Sequence, residues 1–143
     1  MTAQSIAIST DDEIKNILSN ARKIAVVGSS QKPWRDSNGI MRFLIHAGYK
    51  VFPVNPNYSD VLGFPCSPSL LDIDDKIDIV DVFRRSDSVI PVVHDAIQVK
   101  ARTMWFQLNV INEEAANLAL EAGLHVIMDR CIAIEYRRHF QHS

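Results

Sequence analysis

A chain of 143 residues that is 47% hydrophobic and 22% charged has room for one domain around one core, and this composition excludes a mainly disordered segment. Its 15 basic and 17 acidic residues leave a formal charge of -2, which argues against nucleic acid as a partner. No apolar run approaches the roughly 20 residues that a membrane-crossing helix needs, so a membrane partner is not expected either.

The first predicted element is a helix. Thr10 is a suitable N-cap, Glu13 follows it at capping-box spacing, and Asp11 and Asp12 suit the positive helix end. Ile14, Ile17, Leu18 and Ala21 then recur at helical spacing, so residues 1–22 are expected to pack on a single domain that spans residues 1–143. Residues 1–10 lack the basic-then-apolar order of a secretion signal. With two isolated cysteines, Cys66 and Cys131, reduced thiols in a cytoplasmic protein are the expectation.

Residues 23–28 form a short apolar run ended by Gly28, the pattern of a strand buried on both faces. A polar loop, 29–37, leads to Asn38, which is expected to cap a helix through His46 with Ile40, Met41, Phe43, Leu44 and Ala47 on its apolar face. Gly48 ends that helix, and residues 49–54 read as a second strand. A third strand is predicted at 78–83 and a helix at 88–101, with Pro91 tolerated in its first turn. Residues 103–107 give a fourth strand, Asn112 caps a helix that Gly123 ends, 124–128 give a fifth strand, and 131–139 a last helix. This alternation predicts an α/β, three-layer, Rossmann-like domain: a five-stranded parallel sheet with helices on both faces. The expected strand order is 3-2-1-4-5.

Ligands of open α/β sheets bind beyond the carboxyl ends of the strands, where the order reverses; the order 3-2-1-4-5 puts that crevice between the first and fourth strands. Gly28, Ser29 and Ser30 follow the first strand, where glycine permits a tight turn and the hydroxyls add donors. Lys32 and Arg35 can pair with phosphate, and the helix starting near Asn38 offers free N–H groups. The other strand ends carry Asn55 and Pro56, Phe83 and Arg84, Gln107 and Asn109, and Arg130 and Cys131. A NAD-binding domain usually has a carboxylate at the end of strand two, but here the chain reads Val54-Asn55-Pro56-Asn57 and reaches no acid before Asp60. NAD is disfavoured.

Six blocks carry a family resemblance: VVGSS at 26–30, GYKVFPVNP at 48–56, GFPCSPSLLDI at 63–73, DIVDVFRRSD at 78–87, WFQLNVINEEAANLALEAGL at 105–124 and MDRCIAIEYRR at 128–138. In that order they resemble the small CoA-binding domain proteins, related in fold to the nucleotide-binding domain of the succinyl-CoA synthetase alpha subunit. The resemblance implies coenzyme A as ligand, its pyrophosphate at Gly28, Ser29 and Ser30 with help from Lys32 or Arg35. It puts the nucleotide end along Asn55, Pro56, Phe83 and Arg84, with Val89 lining the adenine pocket. The chain departs from the family pattern at Asn57, where Lys or Arg is common, and at Asn109, where glycine is common. Asparagine at 109 either narrows the crevice or uses its tolerance of a left-handed backbone.

No catalytic constellation is evident. His46, His94, His125, His139 and His142 fall in different elements without metal-ligand spacing. The acids Asp72, Asp74, Asp75 and Asp78 read as a solvated loop, Met104, Trp105 and Phe106 as sheet core, and Glu135 with Arg138 as a surface pair. Asp129 and Arg130 are expected to pair with each other or to close the site. Cys131, at a helix start beside Arg130, has two readings: a thiolate able to form a mixed disulfide with the CoA thiol, or an inert buried cysteine. The expected function is therefore non-catalytic binding of CoA or acyl-CoA by a carrier, sensor or regulatory module, with self-association left open. The alternatives are a subunit of an acyl-CoA-using enzyme completed by a partner chain, and an NAD(P)-binding redox sensor.

Overall fold

The apolar runs become the strands of one parallel sheet in a computed structural model that describes residues 9–141. Helix α1 (Asp11–Asn20) precedes β1 (Lys23–Val27), α2 (Asp36–His46) and β2 (Lys50–Val54). A small hairpin, β3 (Asp60–Val61) and β4 (Phe64–Pro65), lies in the connection to β5 (Ile79–Val82). The chain continues through α3 (Ile90–Gln98), β6 (Thr103–Phe106), α4 (Glu113–Glu121), β7 (His125–Met128) and α5 (Ile132–Phe140). Ile14, Leu18, Met41, Leu44 and Ile132 of α1, α2 and α5 cover one face of the sheet; Val92, Val93, Ala96, Ala115 and Ala119 of α3 and α4 cover the other. The three-layer α/β architecture is as expected.

The strand order is not. The sheet runs β2-β1-β5-β6-β7, so the five long strands stand 2-1-3-4-5 in chain order rather than 3-2-1-4-5. The cause is burial. All four residues of β5 are buried, which requires neighbours on both sides and layers on both faces, whereas β2 has an exposed Lys50 and a half-buried Phe52 that suit an edge. The reversal of direction therefore falls between β1 and β5, not between the first and fourth strands.

Smaller departures have local causes. The capping box at Thr10 is present, with Glu13 N–H donating to Thr10 Oγ1 at 3.2 Å and Thr10 N–H to Glu13 Oε1 at 2.8 Å. Helix α2, however, begins at Asp36 with Arg35 at its N-cap, so Asn38 lies inside the first turn and caps nothing. Asp78 is no solvated acid: its Oδ2 accepts the amides of Arg22 and Lys23 at 2.8 and 3.0 Å and so fixes the start of β1. Nor is Glu135 a surface partner of Arg138. Its side chain is 7% exposed and receives Arg138 at 2.7 Å and Arg130 at 3.5 Å, while Arg138 also reaches Asp11 at 3.4 Å and joins α5 to α1. Arg130 thus pairs with Glu135 instead of Asp129. His46 and His94 are exposed, and His142 lies outside the described residues, as do residues 1–8.

Candidate functional site

An open cleft of about 1520 Å³ lies at the carboxyl ends of the strands, a volume above the 300–1,000 Å³ usual for a drug-sized ligand and suited to a larger one. Of the predicted site residues, Gly28, Ser30, Lys32, Arg35, Asn55, Phe83, Arg84, Gln107, Asn109 and Cys131 all line it. They converge because β1, β5 and β6 end side by side, and the loops that follow turn toward one another.

The loop after β1 is held from several directions. The N–H groups of Gly28 and Ser29 both donate to Val54 O, at 2.9 and 3.3 Å, which ties this loop to the end of β2. The Ser29 carbonyl accepts Asn55 Nδ2 at 2.7 Å, and the Ser30 carbonyl accepts Asn38 Nδ2 at 2.8 Å. Asn38 is a clamp between loop and helix, and both are buried where they meet. With both carbonyls tied to asparagine amides, the loop presents the Ser30 hydroxyl to the cleft, where it also accepts the Lys32 amide at 3.0 Å and stands 3.5 Å from Tyr58 Oη.

Beyond the loop, α2 points its N-terminus at the cleft, with Asp36, Ser37 and Gly39 on the lining. Asn38 N–H already meets Arg35 O at 3.0 Å, but the amides at the very start of a helix lack an intrahelical acceptor and carry the positive end of the dipole, so this is an anion-favouring position. Lys32, Arg35, Arg84, Arg85 and Arg137 add cationic side chains, against one lining carboxylate, Asp36. Among the described residues Lys32, Arg35 and Arg84 form no ion pair, whereas Arg85 meets Asp87 at 3.0 Å and Arg137 lies over the Phe43 ring at 4.6 Å. A chain with net charge -2 thus gathers a local positive field in one concave place.

The remaining predicted residues are placed otherwise. Ser29 is fully buried and its hydroxyl donates to Val26 O at 2.6 Å. Val89 is fully buried in the core at the N-cap of α3 and does not line the cleft. Pro56 is exposed outside the lining, and Arg130 borders a neighbouring cavity instead. Asn55 lines the cleft, yet both ends of its amide are engaged: Oδ1 accepts the Asn57 amide at 2.9 Å. Gln107 Oε1 accepts the Ile132 amide at 3.0 Å, capping α5 and setting Cys131 at its N-cap. Asn109 adopts φ 71°, the left-handed backbone that asparagine tolerates, and its N–H donates to Asp129 Oδ1 at 2.7 Å.

Sequence reasoning missed Trp34, Tyr58 and Arg137. Trp34 is 76% exposed in the turn where Arg35 N–H bonds Lys32 O at 3.1 Å, and a lone exposed tryptophan in a polar loop was a usable signal. Arg137 was not findable: only the return of α5 to the face of α2 brings it to the cleft.

Comparison with known proteins bears on the family and the fold. The CoA binding domain family model matches residues 22–137, so the chain belongs to the CoA-binding domain family. It is 42% identical over 124 residues to the uncharacterized protein YneT of Bacillus subtilis (strain 168), covering 87% of this chain and 92% of that one. The solved structure of a hypothetical protein from Pyrococcus horikoshii OT3 superposes with a TM-score of 0.89 at 47% identity, covering 91% and 92% of the two chains. The dinucleotide-forming acetyl-coenzyme A synthetase 1 of Ca. Korarchaeum cryptofilum contains a similar unit, with a TM-score of 0.70 at 28% identity over 78% of this chain and 27% of the synthetase. The fold is therefore shared with one part of a much longer enzyme.

Proposed function

We propose that the chain binds coenzyme A, or an acylated form of it, with the ligand's phosphates in the cationic cleft between the loop after β1 and the N-terminus of α2. The observation that carries this reading is the convergence of Lys32, Arg35, Arg84, Ser30 and the α2 N-terminus on one large cleft where the strand order reverses. Membership in the CoA-binding domain family supports the choice of nucleotide. The end of β2 supports it as well, because Asn55 gives no carboxylate to a NAD ribose and its amide is engaged within the loop.

The role is that of a non-catalytic, cytoplasmic carrier, sensor or regulatory module. Two unpaired cysteines, Cys66 and Cys131, are in keeping with a reducing compartment. A second reading, a subunit completed by a partner chain, is favoured by the synthetase in which a similar unit makes up 27% of the chain. Calorimetric titration with CoA, acetyl-CoA, NAD and NADP tests the first reading. CoA and acetyl-CoA are expected to bind and NAD not to; tight NAD binding without CoA binding overturns it. Co-purification with a larger subunit that confers acyl-CoA turnover decides for the second reading.

A further inference from the structure

A second cavity, of about 700 Å³, lies along β7, at the opposite end of the sheet from β2. Ile17, Ile111, Leu120, Leu124, Val126 and Met128 give it an apolar wall. Leu108, Cys131 and Ile134 line both this cavity and the cationic cleft, so the two meet at the start of α5. Around that junction Leu108, Ile111 and Ile134 are 52%, 51% and 48% exposed, a cluster of large apolar side chains left in water. Such clusters mark surfaces that a ligand or partner covers. Several polar groups on the border are already engaged: Arg130 pairs with Glu135 at 3.5 Å, and Asp129 accepts the Asn109 amide at 2.7 Å. Ser9, Glu13 and His125 also border the cavity, but Ser9 Oγ donates to Val126 O at 3.1 Å and Glu13 Oε1 accepts the Thr10 amide at 2.8 Å, so the apolar wall is the larger part of what faces a ligand.

The spacing suits one ligand that uses both cavities. β1 and β7 are separated by three strand steps, roughly 14 Å at the usual inter-strand distance. The pantetheine arm of CoA has the chain length of about four residues and therefore spans roughly 14 Å when extended. With its phosphates at the loop after β1, an arm running toward β7 would bring the sulfur to the region of Leu108 and Cys131. A group carried on that sulfur then faces the apolar cavity.

We propose that this cavity takes the acyl chain of an acyl-CoA thioester, so that the protein prefers acylated CoA over free CoA. The proposal rests on the CoA reading given above and adds the ligand class. Calorimetric titration of the full chain with CoA, acetyl-CoA, hexanoyl-CoA and octanoyl-CoA tests it. Affinity is expected to rise about twofold to fourfold per methylene beyond acetyl, and Ile111→Asn is expected to abolish that rise while leaving CoA affinity unchanged. Ile111→Trp, which fills the cavity instead of making it polar, is expected to do the same. Octanoyl-CoA binding no more tightly than CoA overturns the proposal and leaves the CoA reading intact. Failure of every CoA species to bind overturns the CoA reading itself. A chain-length gain that survives in both Ile111 variants places the acyl chain elsewhere and also overturns the proposal.

Discussion

The carbonyl oxygen of Phe83 occupies the space that a side chain at Gly28 would need, since an added Cβ would lie 2.3 Å from it. The two residues directly follow β1 and β5, the strands between which the order reverses, and Phe83 N–H donates to Val27 O at 2.8 Å just beneath. Gly28 also has φ 90°, in the left-handed region. Glycine is therefore required here by strand packing and backbone angle, before any ligand arrives. Gly28→Ala is expected to cost about 3 kcal/mol or more, from backbone strain plus overpacking. Urea denaturation measures it, and a loss below about 1 kcal/mol would show that β5 yields easily.

The clamp from Asn38 to the Ser30 carbonyl predicts a second loss. Asn38→Ala leaves a buried carbonyl without its donor, which is expected to cost about 1–3 kcal/mol in the same denaturation experiment. CoA affinity should fall in parallel, because the loop and the helix N-terminus lose their fixed relation. Unaltered stability would mean that the Ser30 carbonyl is readily solvated.

This clamp also shows where the sequence was legible. The five long strands, the capping box at Thr10 and the presence of Lys32, Arg35 and Arg84 in the loops that follow strands could be read from apolar runs, turn residues and charge. Asn38 could not be assigned correctly, because an asparagine before an apolar helical stripe has the pattern of a cap, and only the true start at Asp36 turns its amide toward Ser30. The central place of β5 was not legible, because Asp81 interrupts its apolar run and the burial of that carboxyl emerges only in the folded sheet. The hairpin at Asp60–Val61 and Phe64–Pro65 was hidden, since its turn places Leu62 at φ 53°, a conformation leucine seldom marks. Glu135 looked exposed because the network that engages it, through Arg130 and through Arg138 to Asp11 of α1, forms only in the fold.

Arg35 and Arg84 should act on the ligand and hardly on the fold, since both are exposed and form no ion pair among the described residues. Replacing either by alanine is expected to weaken CoA binding about tenfold, in line with one charge-assisted hydrogen bond to phosphate. The wild-type affinity should also fall with added salt more steeply than that of either variant. Equal salt slopes in calorimetry would remove these side chains from the phosphate site.

Asp81 predicts a pH effect. It sits in β5 between Val26 and Trp105, fully buried, and neither carboxyl oxygen has a partner among the described residues. Burial pushes its carboxyl well above the ordinary carboxylate value, so the folded state keeps a proton that the unfolded chain releases. Because the folded pKa is raised, this group's contribution to stability falls as pH rises from the ordinary carboxylate range up to the raised folded value. Denaturation of wild type and Asp81→Asn across pH 4 to 8, about the span above the ordinary carboxylate pKa, should show the variant free of that decline. Parallel pH curves would show that Asp81 is ionised and solvated.

The most direct measurement concerns where the phosphates sit. Ser30 presents its hydroxyl to the cleft between Lys32 and Tyr58, so Ser30→Asp puts a negative charge beside the bound phosphates. Calorimetric titration of CoA into wild type and into Ser30→Asp, with circular dichroism confirming that the variant is folded, should give a loss of at least about tenfold in affinity. A folded Ser30→Asp protein that binds CoA as tightly as wild type would contradict the placement of CoA in this cleft.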